Sequence, residues 1–272
     1  MVAFPNCKIN IGLNILGKRP DGYHNLQTIY YPLAMNDALE IIAAPNDKQS
    51  IDFSSSGISI PGGAENNLCV KAYQLLEAAV PGLPAIEMHL HKVVPMGAGL
   101  GGGSADAAFA LTLINDKFNL QLPTETLLTY AAELGSDCPF FILNKPCYAT
   151  GRGEQLTKLS LDLSSYSFLV VHPGIHVSTA EAFKHVTAGT AKKDLRDLVK
   201  LPIDAWQSVI FNDFEEPVFS RFPEIGAIKN KLYEYGALYA SMTGSGSAVY
   251  GIFKQQKDGP LNFPTHYFHR WI

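Results

Sequence analysis

The stretch Val93-Val94-Pro95-Met96-Gly97-Ala98-Gly99-Leu100-Gly101-Gly102-Gly103-Ser104-Ala105-Asp106 lies between two apolar segments that differ in period. Residues 86–94 alternate apolar and polar side chains, which predicts a half-buried strand. Residues 105–114 are rich in alanine and leucine and predict a buried helix, which Ser104 or Asp106 would cap. The sequence therefore predicts a strand, a glycine-rich loop and a helix, in this order.

This arrangement predicts a binding site for an anion. The first amides of a helix have no helical acceptor, and the aligned peptide dipoles give the helix N-terminus a partial positive charge. Glycine residues allow the backbone to approach a ligand closely and to adopt positive φ. Phosphate is the usual anion in such loops, so we expect the glycine loop to bind a phosphate group.

The loop matches the pattern G-x-G-x-x-G through Gly97, Gly99 and Gly102, but its surroundings differ from those of three well-known nucleotide sites. A Rossmann fold needs a second parallel strand after the helix and an acidic residue about 20 residues on. Here a second helix is predicted instead. A Walker A loop has a lysine before the serine or threonine, and a protein kinase has V-A-I-K and H-R-D motifs. None of these occurs in the sequence.

The composition is that of an ordinary globular protein with one large or two average domains. The formal net charge of −4 and the lack of a basic stripe argue against nucleic acid as the main partner. No apolar run is long enough to span a membrane, and we expect no export leader. Without a CxxC pair, we expect reduced thiols in a cytosolic protein at Cys7, Cys69, Cys138 and Cys147.

Periodicity and turn residues predict the other elements that bear on the site. The predicted strands and helices cover residues 1–16, 27–43 (broken at Pro32), 46–63 (short strands or a hairpin), 68–76 (a helix capped by Asn67) and 123–134 (a helix capped by Thr124).

Several polar residues allow both a structural and a functional interpretation. Lys8 alternates with apolar residues and is either a solvated strand lysine or a functional one. Tyr23 and His24 follow a tight turn, so they are either ordinary surface residues or suited to stack on and hydrogen-bond a planar ligand. Asp137 follows a predicted helix end, and on this local pattern alone it is a cap or turn residue.

Two further patterns also have two interpretations. His89 and His91 share a strand face, which indicates a solvated face or, less simply, a metal site. The segment Thr243-Gly244-Ser245-Gly246 is either a hairpin turn or a second glycine loop that closes over phosphates.

The segment Pro95 to Ser104 resembles the phosphate loop of the GHMP kinases, the family of galactokinase and of the homoserine, mevalonate and phosphomevalonate kinases. Further matches follow in order over nearly the whole chain, and together they are specific. Cys138 departs from the pattern, which usually has an aliphatic residue there, and the chain is short after Phe253. The matching segments are Lys8-Ile9-Asn10, Pro20-Asp21-Gly22-Tyr23-His24, Gly135-Ser136-Asp137-Cys138-Pro139-Phe140, His172-Pro173-Gly174 and Thr243-Gly244-Ser245-Gly246.

The resemblance implies an α+β, two-domain GHMP kinase fold. Residues 1–156 would form an N-terminal half like domain 2 of ribosomal protein S5, with the phosphate loop and the catalytic residues. Residues 157–272 would form a ferredoxin-like C-terminal half on the acceptor side. The active site is expected in the cleft between the halves.

The resemblance also implies transfer of the γ-phosphoryl group of ATP to an alcohol. The motifs are most similar to those of the members whose acceptor is cytidine-diphosphate methylerythritol, phosphorylated on its 2-hydroxyl in non-mevalonate isoprenoid precursor biosynthesis. The alternatives are another kinase of the homoserine or mevalonate type and a non-catalytic nucleotide-binding module. Mg²⁺ would be held mainly through the nucleotide, with Ser104 as the only protein ligand. We expect a cytoplasmic monomer or weak homodimer with no nucleic-acid or membrane partner.

The same resemblance assigns roles to individual residues. Asp137 would take the hydroxyl proton, and Lys8, drawn close to it, would keep the carboxylate ionised. Cytosine would lie between Tyr23 and Phe183, and His24 would read its edge. The remaining acceptor contacts would be Asn10, near the reacting hydroxyl, and Thr179. The ATP contacts would be Pro95, Met96, Gly97, Ala98, Gly99, Leu100, Gly101, Gly102, Gly103, Ser104 and Ala105, with Asn67 and Lys92 on the nucleoside side.

Overall fold

The computed structural model describes residues 1–45, 50–186 and 193–272. Within these ranges the chain has the mixed α+β content that the sequence predicts, with three four-stranded sheets. The strands are β1 (Val2–Ala3), β2 (Asn6–Lys18), β3 (His24–Asn36), β4 (Ala38–Ala43), β5 (Asp52–Gly57), β6 (Ile86–Lys92), β7 (Cys147–Thr150), β8 (Gln155–Lys158), β9 (Ser167–His172), β10 (Tyr239–Met242), β11 (Val249–Phe253) and β12 (Phe268–Trp271). The helices are α1 (Leu68–Ala79), α2 (Gly102–Lys117), α3 (Thr124–Leu134), α4 (Cys138–Leu143), α5 (Thr179–His185), α6 (Leu195–Leu198), α7 (Glu215–Arg221) and α8 (Pro223–Glu234).

The chain folds into two compact units, and neither is one continuous stretch of sequence. The polypeptide changes unit within β2, near the end of β3, twice within the glycine loop and again before β7. The predicted division into domains 1–156 and 157–272 stays a prediction. The first unit contains Met1–Cys7, Ala34–Met96 and Gly101–Lys145, and the second contains Lys8–Leu33, Gly97–Leu100 and Pro146–Ile272.

The first unit combines one sheet with four helices. Its strand order is β1-β4-β6-β5, and β5 is parallel to β6 while the other neighbours are antiparallel. The apolar residues of β4 and β6 point to one face, as the alternation in residues 86–94 predicts. They pack with α1, α2 and α3 in a core that includes Leu39, Ile41, Met88, Leu90, Cys69, Leu76, Ala107, Leu111, Leu127 and Ala131.

The second unit contains most of the sheet β2-β3-β7-β8 and all of the sheet β10-β11-β9-β12. The latter sheet is antiparallel throughout. Its core joins the two sheets with α5, α7 and α8, and it includes Leu13, Ile15, Leu26, Leu169, Val171, Ala182, Val218, Ile228, Leu232 and Met242. The stretch of β2 up to Ile15 is buried on both faces, so its polar residues are internal as well.

Two predicted strands differ from the structure. β3 runs through Pro32, although Pro32 was expected to break it. On the β7 side Pro32 lies outside the pairing, which covers only Thr28 to Tyr30, so no ladder bond to β7 needs the missing N–H. In residues 46–63 the described part forms one short strand, β5, which agrees with the first of the two predicted alternatives. Because β5 pairs in parallel with the distant β6, the hairpin alternative is wrong.

None of the helices in the described ranges combines the length and the apolar composition that crossing a membrane would require.

Candidate active site

Every second residue of the glycine loop has a positive φ. The values are +63° at Gly97, +78° at Gly99 and +71° at Gly101, whereas Ala98 and Leu100 between them are not in this region. Left-handed backbone at alternate positions is a feature of loops whose successive amides bind an anion. The glycines are required there because other residues adopt this conformation at a cost of about 1–2 kcal/mol.

Lys8 binds the central residues of the loop, which belong to the same compact unit. It is only 3% exposed, so the interpretation as a solvated strand lysine is wrong. Its backbone N–H donates to Leu100 O (2.9 Å), and its Nζ donates to Gly99 O (3.0 Å) and to Asn10 Oδ1 (2.7 Å). The ammonium group also lies 5.1 Å from the centre of the Tyr30 ring. These partners compensate for the loss of water around a buried charge.

The turn between β10 and β11 also binds the loop. The Thr243 hydroxyl lies 3.1 Å from Gly99 O and 3.2 Å from Asn10 Oδ1, and it accepts the backbone N–H of Asn10 at 3.1 Å. The N–H of Ala248 donates to Ala98 O at 3.0 Å. The segment Thr243 to Gly246 is therefore part of a hairpin turn, which was one of its two predicted interpretations. The same turn fixes the shape of the glycine loop.

These contacts determine where the loop amides point. In a trans peptide, the carbonyl of one residue and the N–H of the next point in opposite directions. The carbonyls of Ala98, Gly99 and Leu100 are turned towards Lys8 and the turn. The amides of Gly99, Leu100 and Gly101 are therefore directed away from these protein groups, which is the orientation that a bound anion requires.

Helix α2 begins earlier than predicted. Its first residue is Gly102, and Gly101, in the left-handed conformation, occupies the N-cap position without a side-chain cap. The prediction that Ser104 or Asp106 caps the helix is therefore wrong, because both lie inside it. Ser104 instead hydrogen-bonds Cys138, a thiol whose pKa burial raises to about 12.

A buried group of charged residues fixes the strand before the loop and the helix after it. Lys92 Nζ, at the end of β6, donates to Asp37 Oδ2 and, at 2.8 Å, to Asp106 Oδ2 of α2. The other oxygen of Asp37 accepts the N–H groups of Val93 (2.5 Å) and Val94 (2.9 Å). The side chains of Lys92 and Asp37 have no exposed surface. Lys92 therefore has no surface through which to contact a nucleoside, and we assign it to the support of the loop.

Burial changes the protonation of this group. Burial raises the pKa of Asp106 to about 7. The negative charge of Asp37 also raises this pKa, whereas the positive charge of Lys92 lowers it. Oδ1 of Asp106 is buried and has no hydrogen-bond partner among the described residues. Burial alone would lower the pKa of Lys92, but the two carboxylates raise it above its usual value. The two carboxylates therefore favour the charged form of Lys92, and burial favours the neutral form of Asp106.

The other two candidate residues of the first unit lie at helix starts. Asp137 occupies the N-cap position of α4 and is partly exposed, but its carboxylate makes no capping hydrogen bond. Asp137 therefore has the position of a helix cap, but its side chain does not make the hydrogen bond by which a cap stabilises a helix. Asn67 caps α1 as predicted, because its Oδ1 accepts the N–H of Cys69 at 2.8 Å.

The aromatic residues expected to bind the acceptor form two pairs in the second unit. The Tyr23 ring is 57% exposed, and the Arg152 guanidinium lies 4.8 Å from its centre. The His24 ring stacks on Phe183, with centres 4.9 Å apart and an angle of 14° between planes. Phe183 also meets Phe214 edge-on at 4.8 Å. The structure therefore stacks His24, rather than Tyr23, on Phe183.

The remaining predicted acceptor residues have protein partners. Thr179, the first residue of α5, is exposed, and its hydroxyl lies 2.9 Å from Ser245 Oγ in the β10–β11 turn. Asn10 is buried; besides its contacts with Lys8 and Thr243, its Nδ2 donates to Thr28 Oγ1 at 2.9 Å. Asn10 therefore connects the ammonium group of Lys8 to the second glycine turn.

Sequence reasoning missed three residues that shape these loops. Asp37 lies where the sequence predicts a turn, and its neighbours in the sequence do not indicate that its carboxylate is buried. Asn212 donates through Nδ2 to the carbonyls of Met242 and Gly244, both at 2.8 Å. His176 lies against Gly97, because a Cβ there would be 2.9 Å from its Nδ1. None of the three is part of a recognisable motif.

His89 and His91 bind serines of the neighbouring strand. His89 Nδ1 lies 2.8 Å from Ser54 Oγ, and Ser56 Oγ lies 2.8 Å from His89 Nε2 and 2.9 Å from His91 Nδ1. Within residues 1–45, 50–186 and 193–272, no group of three or more histidine, cysteine or acidic side chains could hold a metal ion.

Comparison with known proteins gives consistent matches. A family model described as the GHMP kinases N terminal domain matches residues 67–145, and one described as GHMP kinases C terminal matches residues 188–260. The chain is 49% identical over 257 residues to the 4-diphosphocytidyl-2-C-methyl-D-erythritol kinase of Bacteroides fragilis, covering 94% of this chain and 93% of that protein. It is 48% identical over 271 residues to the protein of the same name from Azobacteroides pseudotrichonymphae, covering 98% and 100%.

Solved structures give the same picture. A crystal structure of 4-(cytidine 5'-diphospho)-2C-methyl-D-erythritol kinase is similar with a TM-score of 0.78 and 29% identity, over 93% of this chain and 90% of that one. The mevalonate kinase of Methanococcus jannaschii has a TM-score of 0.69 at 14% identity, over 93% and 90%. The second likeness shows the fold alone.

The loop geometry predicts that Gly99→Ala is destabilising. A Cβ at Gly99 would lie 2.0 Å from Thr243 O, and φ is +78°, so the loop must move. We expect the free energy of unfolding to fall by at least about 2 kcal/mol and ATP binding to weaken. Gly103→Ala is the control for stability, since no atom lies within 4 Å of its Cβ position. Urea unfolding and ATP titration measure the effects, and equal destabilisation by both variants would contradict the argument.

The buried charges predict a pH dependence of stability. Because the pKa of Asp106 is raised to about 7, above the unfolded value of about 3.9, the folded state binds the proton more tightly. This contribution is complete below pH about 4 and is lost as the pH rises through 7. From pH 5 to pH 8, the wild type should lose up to about 3 kcal/mol more stability than Asp106→Asn, at about 1.4 kcal/mol per pKa unit. Urea unfolding at both pH values checks this, and parallel pH profiles would refute it.

Proposed function

This chain belongs to the GHMP kinase family, and we propose that it transfers the γ-phosphoryl group of ATP to the 2-hydroxyl of 4-diphosphocytidyl-2-C-methyl-D-erythritol. The observation that carries the proposal is the 46–49% identity, over nearly the whole chain, to several relatives named for a kinase of this compound. The glycine loop supports the kinase chemistry, because it presents backbone amides to an anion. The proposed pathway is non-mevalonate isoprenoid precursor biosynthesis.

The proposed ATP site is the loop from Pro95 to Ala105. The outward amides of Gly99, Leu100 and Gly101 and the uncapped N-terminus of α2 would bind the phosphate oxygens. Phosphoryl transfer is catalysed mainly by positioning and charge stabilisation, and a preformed set of amides supplies both without reorganisation. Asn67 remains the proposed contact to the nucleoside of ATP. Its side-chain NH₂ group would make this contact, because its oxygen already caps α1.

Asp137 and Lys8 are the proposed catalytic residues. A tertiary alcohol does not ionise near neutral pH, so a base must accept its proton as the bond to phosphorus forms. Asp137 is partly exposed and stands at the N-terminus of α4, which supports a role as this base. Lys8 would polarise the hydroxyl and favour the ionised carboxylate. Asn10 and Gly99 O fix the direction of the Lys8 ammonium group.

We propose that the cytosine base of the acceptor stacks on Tyr23 and Phe183. Stacking on an aromatic side chain contributes about 1–3 kcal/mol per base. His24, which now stacks on Phe183, would then turn its ring nitrogens to the base edge. Asn10 would contact the acceptor near its hydroxyl, and Thr179 would hold its chain from α5.

Mg²⁺ is the proposed companion of ATP, and when bound it neutralises phosphate charge. The donor set fits an ion held by the nucleotide: among the described residues no group of three or more acidic, histidine or cysteine side chains could hold a metal. The Ser104 hydroxyl is the only protein ligand that we propose. We further propose a cytoplasmic monomer or weak homodimer, in line with the four buried thiols.

Turnover with defined acceptors tests this function. We expect ATP consumption with 4-diphosphocytidyl-2-C-methyl-D-erythritol and none with homoserine or mevalonate. Asp137→Asn and Lys8→Met should each lower kcat by about 10²–10⁴-fold, because a proton acceptor or a charge at the reacting hydroxyl is lost. A coupled ADP-release assay measures these rates.

Asp116→Asn, a change of an exposed aspartate at the end of α2, is the matched control and should keep full activity. Circular dichroism shows whether each variant folds. Turnover of homoserine or mevalonate in place of the cytidylated acceptor, or full activity of Asp137→Asn, would refute the proposal.

A further inference from the structure

The backbone of Tyr23 is fixed, although its ring is exposed. Asp21 Oδ1 accepts the Tyr23 N–H at 3.1 Å, and Asp21 also binds Arg19 Nε at 3.0 Å. The N–H of Arg19 donates to Tyr23 O at 2.7 Å, and that of Gly22 donates to Arg19 O at 3.1 Å. The turn is therefore rigid up to the Cα of Tyr23. These bonds do not fix the orientation of the Tyr23 ring, which is more than half exposed.

Arg152 is held where it can fix this orientation. It lies in the tight turn between β7 and β8, which the bond from Gly153 N–H to Thr150 O closes at 3.0 Å. The N–H of Arg152 donates to Glu154 Oε2 at 2.6 Å. The N–H of Leu26 donates to the carbonyl of Gly151 at 2.8 Å, which ties the turn to β3.

The neighbouring glycine also restricts the turn. Gly153 has φ of +111°, and a Cβ there would be 2.5 Å from the hydroxyl of Tyr30, so the turn packs closely against β3 and no larger residue fits at this position. From this fixed base the Arg152 guanidinium reaches the face of Tyr23, 4.8 Å from the ring centre.

We propose that Arg152 is a positioning residue for the acceptor: it covers one face of the Tyr23 ring so that the opposite face is presented to the cytosine base. This inference rests on the proposed function. A planar guanidinium stacks on an aromatic face, and the attraction also favours one rotamer of the ring. A ring that is oriented before binding loses less conformational entropy when the base stacks on it, which strengthens binding.

The test compares Arg152→Ala, Arg152→Lys, Tyr23→Ala and the double variant Arg152→Ala/Tyr23→Ala. For Arg152→Ala we expect the KM of the acceptor to rise about two- to fivefold, the effect of an exposed cation–π contact, with kcat and the KM of ATP unchanged. Arg152→Lys should recover part of the affinity. Arg152→Ala should have no further effect in the Tyr23→Ala background, since the residue acts through the ring.

Binding of cytidine and of cytidine diphosphate, measured as competitive inhibition, separates positioning from direct contact. A positioning residue should weaken both ligands by the same factor. Arg196→Ala is the matched control, because it removes another exposed guanidinium from a tyrosine, 4.5 Å from the ring centre of Tyr148. It should leave all constants unchanged, and thermal unfolding shows that the variants fold.

An unchanged acceptor KM in Arg152→Ala would overturn the inference, and so would additive effects in the double variant. A loss confined to cytidine diphosphate would also overturn it, since the guanidinium would then bind the phosphates directly. These results differ from failure of the proposed function, in which the wild type itself does not phosphorylate the cytidylated acceptor.

Discussion

The candidate site depends on how the carbonyl groups of the glycine loop are satisfied. Each peptide carries a donor and an acceptor, so fixing the acceptor also fixes the direction of the donor. Lys8 and the β10–β11 turn bind the carbonyls of Ala98, Gly99 and Leu100. The amides on the other side of these peptides are thereby set for an anion before any ligand arrives. The ammonium group of Lys8 is thus structural as well as proposed to be catalytic.

Two buried lysines show what the sequence could not reveal. Lys8 allowed two interpretations, and Lys92 was expected to contact a nucleoside, yet both are buried among protein acceptors. The partners that compensate for burying these charges are distant in sequence: Gly99 O for Lys8, and Asp37 for Lys92. A lysine in an alternating strand has the same local pattern whether or not such partners exist. Burial of a charge is therefore a tertiary property that no single stretch encodes.

Local signals predicted the elements that depend on local chemistry. The positive φ of the loop glycines, the Asn67 cap and the alternation before the loop agree with the predictions, because conformation and capping are decided within a few residues. The predictions were wrong where a distant partner decides. In residues 46–63, pairing with the distant β6 gives one short strand and excludes the hairpin alternative. The early start of α2 is a local exception, with Gly101 left-handed at the N-cap position. The motif resemblance identified the family, since it combines many weak signals along the chain.

The aromatic residues of the proposed acceptor site do not contribute equally. A base that stacks on the face of Phe183 where His24 lies has to displace the His24 ring, whose centre is 4.9 Å away and whose plane is nearly parallel. Only the difference between the two stacking energies is then gained. The face of Tyr23 opposite Arg152 requires no such exchange, so stacking there is opposed mainly by the loss of water. The net affinity for the base should therefore come chiefly from Tyr23, while His24 and Phe183, which must rearrange, determine which base is accepted.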